Sequence, residues 1–197
     1  MSEQLLLPLS DFLGTKFSLN ETSHDYAMDD DEAAFMLEVL GEVEWSEPIC
    51  HFDRYVIRQH GGWSEEGGNV GLFLGDELIG FYEGLNLWIR PEHRGKGLAV
   101  PLILSAARLR GGTVLPEGIS SQHYSPSGLL AHSTAHLQAL LCAIKHKEAI
   151  PEAVLREYNL HDPADLLRMF GVEDLKDLSC CNPVQAGQGA TAQKKEG

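Results

Sequence analysis

The sequence predicts an α/β chain, more closely α+β, on three observations. Strand-like runs cluster in the first half, at 50–58, 69–83 and 85–90. Apolar residues at helical spacing follow at 98–109 and 130–144. Glycine or proline punctuates the joins, at Gly75-Asp76, Gly84, Pro91, Gly95 and Gly97. Period-two alternation marks strands, and an i, i+3, i+4 stripe marks helices packed on them.

Taken in order, residues 1–28 form an N-terminal segment of uncertain structure, in which Leu5-Leu6-Leu7 is a short strand or part of a loop. Asp29-Asp30-Asp31-Glu32 precede AAFMLEVL, and Gly41 follows. Acids in a first turn and glycine past the last define a helix over roughly 31–40, so the acid run reads as a helix start rather than a metal site. Residues 42–48 read as an acidic loop, and CHFDRYVIR (50–58) as one strand. HGGWSEEGG (60–68) is a glycine-rich loop around Trp63, a candidate lid over a ligand or an anchor on the core. NVGLFLGDELIGFYEG then reads as a hairpin about Gly75-Asp76.

The stretch that organises the chain is LNLWIRPEHRGKGLAVPLILSAARLR, residues 85–110. Leu85, Leu87 and Ile89 alternate with Asn86, Trp88 and Arg90. Pro91 ends the strand because it has no N–H to donate. Arg94 to Gly97 turn the chain into a helix carrying Leu98, Leu102, Ile103, Ala106 and Leu109 on one stripe. Pro101 is tolerated in the first turn, where N–H groups lack intrahelical partners. Arg108 and Arg110 suit the negative helix end, and Gly111-Gly112 stops it. A strand passing through a glycine turn into a helix N-terminus is an anion-binding device. It is neither a Walker A loop nor the three-glycine dinucleotide fingerprint.

Beyond it, 113–115 is a short candidate strand and 120–124 a polar connection. Ser125 and Pro126 are a good N-cap and first helical residue for a helix to about residue 147, with Leu130, Leu137, Leu141 and Ile144 on one stripe. Two short helices are expected from Pro151 and from Asp162-Pro163. The polar, small-residue end from about Asn182 has a disordered composition. The domain division is therefore 29–147 as a core, 148–179 as a helical C-terminal extension and 180–197 as a tail.

Arg94-Gly95-Lys96-Gly97-Leu98-Ala99, preceded by Ile89, Pro91 and Glu92, resembles the acetyl-CoA-binding motif of the GNAT superfamily of N-acetyltransferases, R/Q-x-x-G-x-G/A. The resemblance covers roughly residues 30–147 and is specific over 70–110. It implies a GNAT-like acyl-CoA N-acyltransferase fold with a mixed central sheet. It also implies direct acetyl transfer from acetyl-CoA, as co-substrate and without a metal, to a primary amine. The acceptor would be a small molecule or a protein. A homodimer is compatible with it. By the resemblance, Leu87, Trp88 and Ile89 pair with the pantetheine, and Arg94, Gly95, Lys96, Gly97, Leu98 and Ala99 surround the pyrophosphate. Glu83 is the candidate general base, against a solvated strand-end carboxylate. Tyr124 is the candidate acid for the thiolate, against a ring packed over the helix start, with His123 as its rival. The helical reading after residue 147 departs from the family, whose core closes with two further strands that often shape the acceptor site. The alternative is a non-catalytic member that binds CoA thioesters as a sensor or scaffold.

His132 and His136, at i and i+4, have metal-compatible spacing but no third ligand in view. Polar packing or contact with the acceptor is the simpler reading. The net charge of −14 disfavours a dedicated nucleic-acid binder and suits a cationic acceptor. No apolar run is long enough to span a bilayer, and the N-terminus lacks a basic segment and long apolar run. The four cysteines contain no C-x-x-C pair. Cys142 is expected to be inert in its helix, and Cys180-Cys181 to lie exposed near the tail. The simple expectation is a reduced, cytoplasmic protein without a membrane partner.

Overall fold

The computed structural model describes residues 27–61, 68–84, 86–110, 114, 124–161 and 165. Among the described residues five strands form one antiparallel sheet in sequential order: β1 (Cys50–Phe52), β2 (Tyr55–Gln59), β3 (Val70–Leu74), β4 (Glu77–Glu83) and β5 (Asn86–Ile89). The helices are α1 (Asp30–Gly41), α2 (Ala99–Arg110), α3 (Pro126–Lys145) and the short α4 (Glu152–Glu157). The result is a mixed α+β architecture. Among the described residues no helix is long and apolar enough to cross a membrane.

Two details of the strands differ from the sequence reading. Residues 50–58 are a tight hairpin rather than one strand, with Cys50 opposite Ile57. Asp53 takes the turn at φ 53°, a left-handed conformation that aspartate adopts more readily than most residues. The alternation in β5 does not separate a buried from a wet face, because both faces of the sheet are covered. Ile89 joins the core under α2 and α3, together with Tyr82, Leu98, Leu102 and Ile103. Trp88 joins a second core under α1, with Ala33, Leu40, Phe73 and Phe81. Phe81 and Trp88 stack at 6.2 Å between centroids.

The Gly75-Asp76 hairpin forms as expected: Leu74 pairs with Glu77, and Gly75 turns at φ 63°. A bulge follows, since Leu72 pairs with Gly80 but Phe73 with Leu78. It lets Leu78 and Phe81 share the α1 face while Ile79 and Tyr82 enter the other core.

Helix α1 begins at Asp29, whose side chain accepts from Glu32 N–H at 2.7 Å. Helix α3 begins at Ser125, which accepts from Gly128 N–H at 3.1 Å, with Pro126 in the first turn. The leucine stripe read from sequence is buried in part: Leu141 and Ile144 are buried and Leu137 packs against the core. Leu130 is 68% exposed, whereas His132, Ala135, His136 and Ala139 face inward. Small residues admit close approach to α2, and each histidine is paired internally. Leu109, at the end of α2, is also exposed.

Cys142 is disulfide-bonded, neither the inert thiol nor the reduced cysteine expected, and Cys50 is buried. Trp63, His123, Cys180, Cys181, residues 1–26, the C-terminal tail and, apart from helical Asp165, the helix expected from Asp162 lie outside the described residues, as does all of 113–115 except buried Val114.

Candidate functional site

The turn after β5 is built to leave its backbone open. Pro91–His93 is one turn of 3₁₀ helix, closed by Arg94 N–H donating to Pro91 O at 3.1 Å. Gly95 and Gly97 both lie at φ 74°, where a side chain is strained. A Cβ at either would meet nothing within 4 Å, so the glycines answer to backbone conformation and to free space above the turn, not to packing. Among the described residues the N–H groups of Gly95, Lys96, Gly97 and Leu98 have no acceptor. Leu98 stands where α1 has Asp29 and α3 has Ser125, and an aliphatic side chain cannot cap. The 12-residue helix α2 thus presents its positive end behind an uncapped run of amides.

The side chains around the turn brace it. Arg94 Nε donates to Ile89 O at 2.7 Å, its guanidinium lies 5.5 Å from the Trp88 ring, and it approaches Asp30 at 3.7 Å. Lys96 Nζ donates to Glu92 O at 2.8 Å. Both remain partly solvent-facing. Leu98 is buried beneath the turn, and Ala99 starts the helix.

Of the residues assigned to an added strand, Leu87 is half-buried and Trp88 and Ile89 are buried. Among the described strands, β5 is the edge of the sheet. Arg90 N–H donates to Ile79 O at 2.9 Å. Alternation along an antiparallel pair then aims residue 88 at β4 and residues 87 and 89 at the outer edge.

Glu83 closes β4, opposite Asn86 at the start of β5. It is not a solvated carboxylate: only 7% of the residue is exposed. Its Oε2 accepts from His60 Nε2 at 2.8 Å. Its Oε1 is buried and has no hydrogen-bond partner among the described residues. His60 was read from sequence only as the start of a loop. The register could have found it: Gln59 pairs with Val70 and Val70 with Tyr82, which brings 60 and 83 to one end of three strands.

Tyr124 is buried on the other side of the sheet. Its ring lies 4.8 Å from that of His132. His132 Nδ1 donates to Gly128 O at 2.7 Å, which leaves Nε2 to accept from the Tyr82 hydroxyl at 3.1 Å. Arg110 lies 5.5 Å from the Tyr82 ring. Burial pushes the Tyr124 phenol above the ordinary phenol value, and holds His132 down to about 4, hence neutral. Successive strand residues point to opposite faces. Tyr82 enters the α2/α3 core, while the His60 ring, partner of Glu83, meets Trp45 on the α1 side. The structure therefore brings Tyr124 to His132 and Glu83 to His60, and does not bring Glu83 and Tyr124 together.

Both ring nitrogens of His132 are engaged, and His136 Nδ1 bonds the Tyr158 hydroxyl at 2.7 Å. Neither pairing leaves the two histidines converging on a metal, and the described residues contain no cluster of three metal-capable side chains. Comparison with protein-family models, curated proteins and solved structures returns no match.

Proposed function

We propose that the chain is a GNAT-type N-acetyltransferase, which moves an acetyl group from acetyl-CoA to a primary amine. The observation that carries this reading is the turn at 94–98: two positive-φ glycines, four amides without acceptors and an uncapped helix end, directly after an edge strand. A diphosphate has the oxygens and the charge such a turn lacks. An extended pantetheine arm could continue along the outer edge of β5, donating to and accepting from Leu87 and Ile89 as an added strand would. Arg94 would then act mainly as a brace, since its Nε is already committed to Ile89 O.

The chemistry requires a neutral amine. Glu83 would take a proton from the ammonium, and the amine nitrogen would attack the thioester carbonyl carbon. A β5 backbone N–H would stabilise the oxyanion. Collapse breaks the C–S bond; the thiolate takes a proton from the Tyr124 phenol, and the second proton that the nitrogen releases restores the phenol, since burial disfavours the phenolate. Because Glu83 and Tyr124 face opposite sides, the thioester would have to lie at the edge of β5, the place from which both faces can be reached. That separation also favours the second reading, a CoA-thioester-binding protein without transfer. A cytoplasmic setting follows only as part of the acetyl-CoA reading.

Calorimetric titration of acetyl-CoA into the wild type and Gly97→Val tests the assignment. A β-branched residue in the left-handed region costs about 1–2 kcal/mol, which leaves the fold standing but displaces the amides. Wild type is expected to bind, and the folded variant is not. Equal affinities would overturn the cofactor site. Thiol release on adding amines then separates transfer from binding alone.

A further inference from the structure

We infer that His60 and Glu83 form an amine-recognition pair: Glu83 Oε1 receives an N–H of a primary ammonium or amine, and His60 is the residue that positions the carboxylate for it. The inference rests on the acetyl-transfer reading for its biological meaning, but its geometry is independent of the cofactor turn.

The two side chains are only 3% and 9% exposed and share one hydrogen bond, His60 Nε2 to Glu83 Oε2 at 2.8 Å. One carboxylate oxygen is thus fixed. The other, Oε1, is equally sheltered and has no donor among the described residues. A buried carboxylate oxygen accepts only, so what completes this site must donate. Among the described residues no lysine or arginine pairs with Glu83, which leaves its charge to favour a cationic donor.

His60 is held from several directions. Trp45 meets its ring edge-on, with centroids 4.7 Å apart at 72°. The indole is itself pinned: its N–H donates to Leu40 O at 3.0 Å, and the ring covers Gly71, where a Cβ would come within 2.6 Å of it. His60 N–H donates to Asn69 O at 3.4 Å, and buried Asn69 accepts from Gly84 N–H at 3.2 Å through Oδ1. These contacts tie together the ends of β2, β3 and β4, so the direction of Oε1 is set by three strands. Glu83 faces Asn86, and Ile89 lies three residues along the same edge strand, about 10 Å towards the glycine turn. An amine on Oε1 and a diphosphate on the turn would therefore occupy opposite ends of β5.

The test follows the Glu83 carboxyl carbon by NMR in protein labelled with 13C-carboxyl glutamate, the resonance being assigned by its loss in Glu83→Gln. The probe is n-butylammonium chloride. The wild-type resonance should move saturably. His60→Gln, whose amide can replace Nε2–H, should keep the response. His60→Leu should weaken it about ten- to a hundredfold, the loss associated with a charge-assisted hydrogen bond. If His60→Leu does not fold, His60→Asn, with an amide too short to reach Oε2, takes its place. A wild-type resonance that ignores the amine, or a response identical in wild type and in the leucine or asparagine variant, overturns the inference. Thiol release from acetyl-CoA with n-butylamine is measured alongside. Release without a carboxyl response would keep acetyl transfer and sink the pair. A His60-dependent response without release would keep the pair and remove transfer.

Discussion

Two buried histidines sit on opposite faces of the same sheet, and they differ in what they leave unfinished. On the helix α3 side, His132 spends both ring nitrogens, on Gly128 O and the Tyr82 hydroxyl, and the Tyr124 ring packs against it. On the α1 side, His60 fixes one oxygen of Glu83 while the other faces no donor in the described chain. A saturated buried network specifies packing. An unsaturated one is costly to keep, and in a folded protein it calls for a ligand or a water. The same contrast holds among the helix ends: Asp29 and Ser125 close α1 and α3, whereas Leu98 leaves α2 open.

The largest effect that could break this comparison is on turnover. Glu83→Gln should lower acetyl transfer to an accepted amine by about two to four orders of magnitude, the usual contribution of a general base. Acetyl-CoA affinity should stay constant, because Glu83 lies away from the turn. Steady-state kinetics with parallel calorimetry checks both. Full turnover in the variant would make Glu83 as structural as His132.

Next is a pH effect on stability from the closed network. His132 is neutral in the folded chain, with a value of about 4 against 6.5 for the free side chain. Between these values the unfolded chain binds a proton that the folded chain does not. Stability from this residue is therefore complete above about pH 6.5 and is lost as pH falls towards 4, by up to about 3 kcal/mol. Urea unfolding from pH 7.5 to 4.5 should show that slope, and His132→Phe should flatten it. The same substitution removes the acceptor of Tyr82 and should cost about 1–3 kcal/mol at pH 7.5. It should leave acetyl-CoA binding unchanged.

The smallest expected effect is at the brace. Arg94→Ala removes the bond to Ile89 O and the contact with Trp88, while its exposed pairing with Asp30 adds little. Unfolding should shift by about 1 kcal/mol. Acetyl-CoA affinity should fall by less than about a hundredfold, since a hundredfold is nearly 3 kcal/mol and more than an accessory contact supplies. A larger loss in calorimetry would move the weight of binding from main chain to side chain.

Much of the scaffold was legible because it is local. Acids before AAFMLEVL, Ser125-Pro126 and the Gly75-Asp76 hairpin each carry their structure in a few adjacent residues, and each appears where expected. So do the glycines at 95 and 97, because positive φ is a property of one residue. Where a contact spans the chain, the reading fell short. The leucine stripe of α3 failed at Leu130, because the first half of α3 turns small residues and paired histidines inward instead. The two-faced burial of β5 depends on α1, more than 40 residues upstream in the sequence.

The sequence alone determined an α+β chain with an open glycine turn between an apolar strand and an apolar helix, since these follow from backbone conformation and periodicity over short distances. Only the tertiary structure decided that Glu83 meets His60, that Tyr124 meets His132, and that the sheet stands between the two pairs. Those pairings come from strand register and from which helix covers which face, and both are set by contacts between residues far apart in the chain.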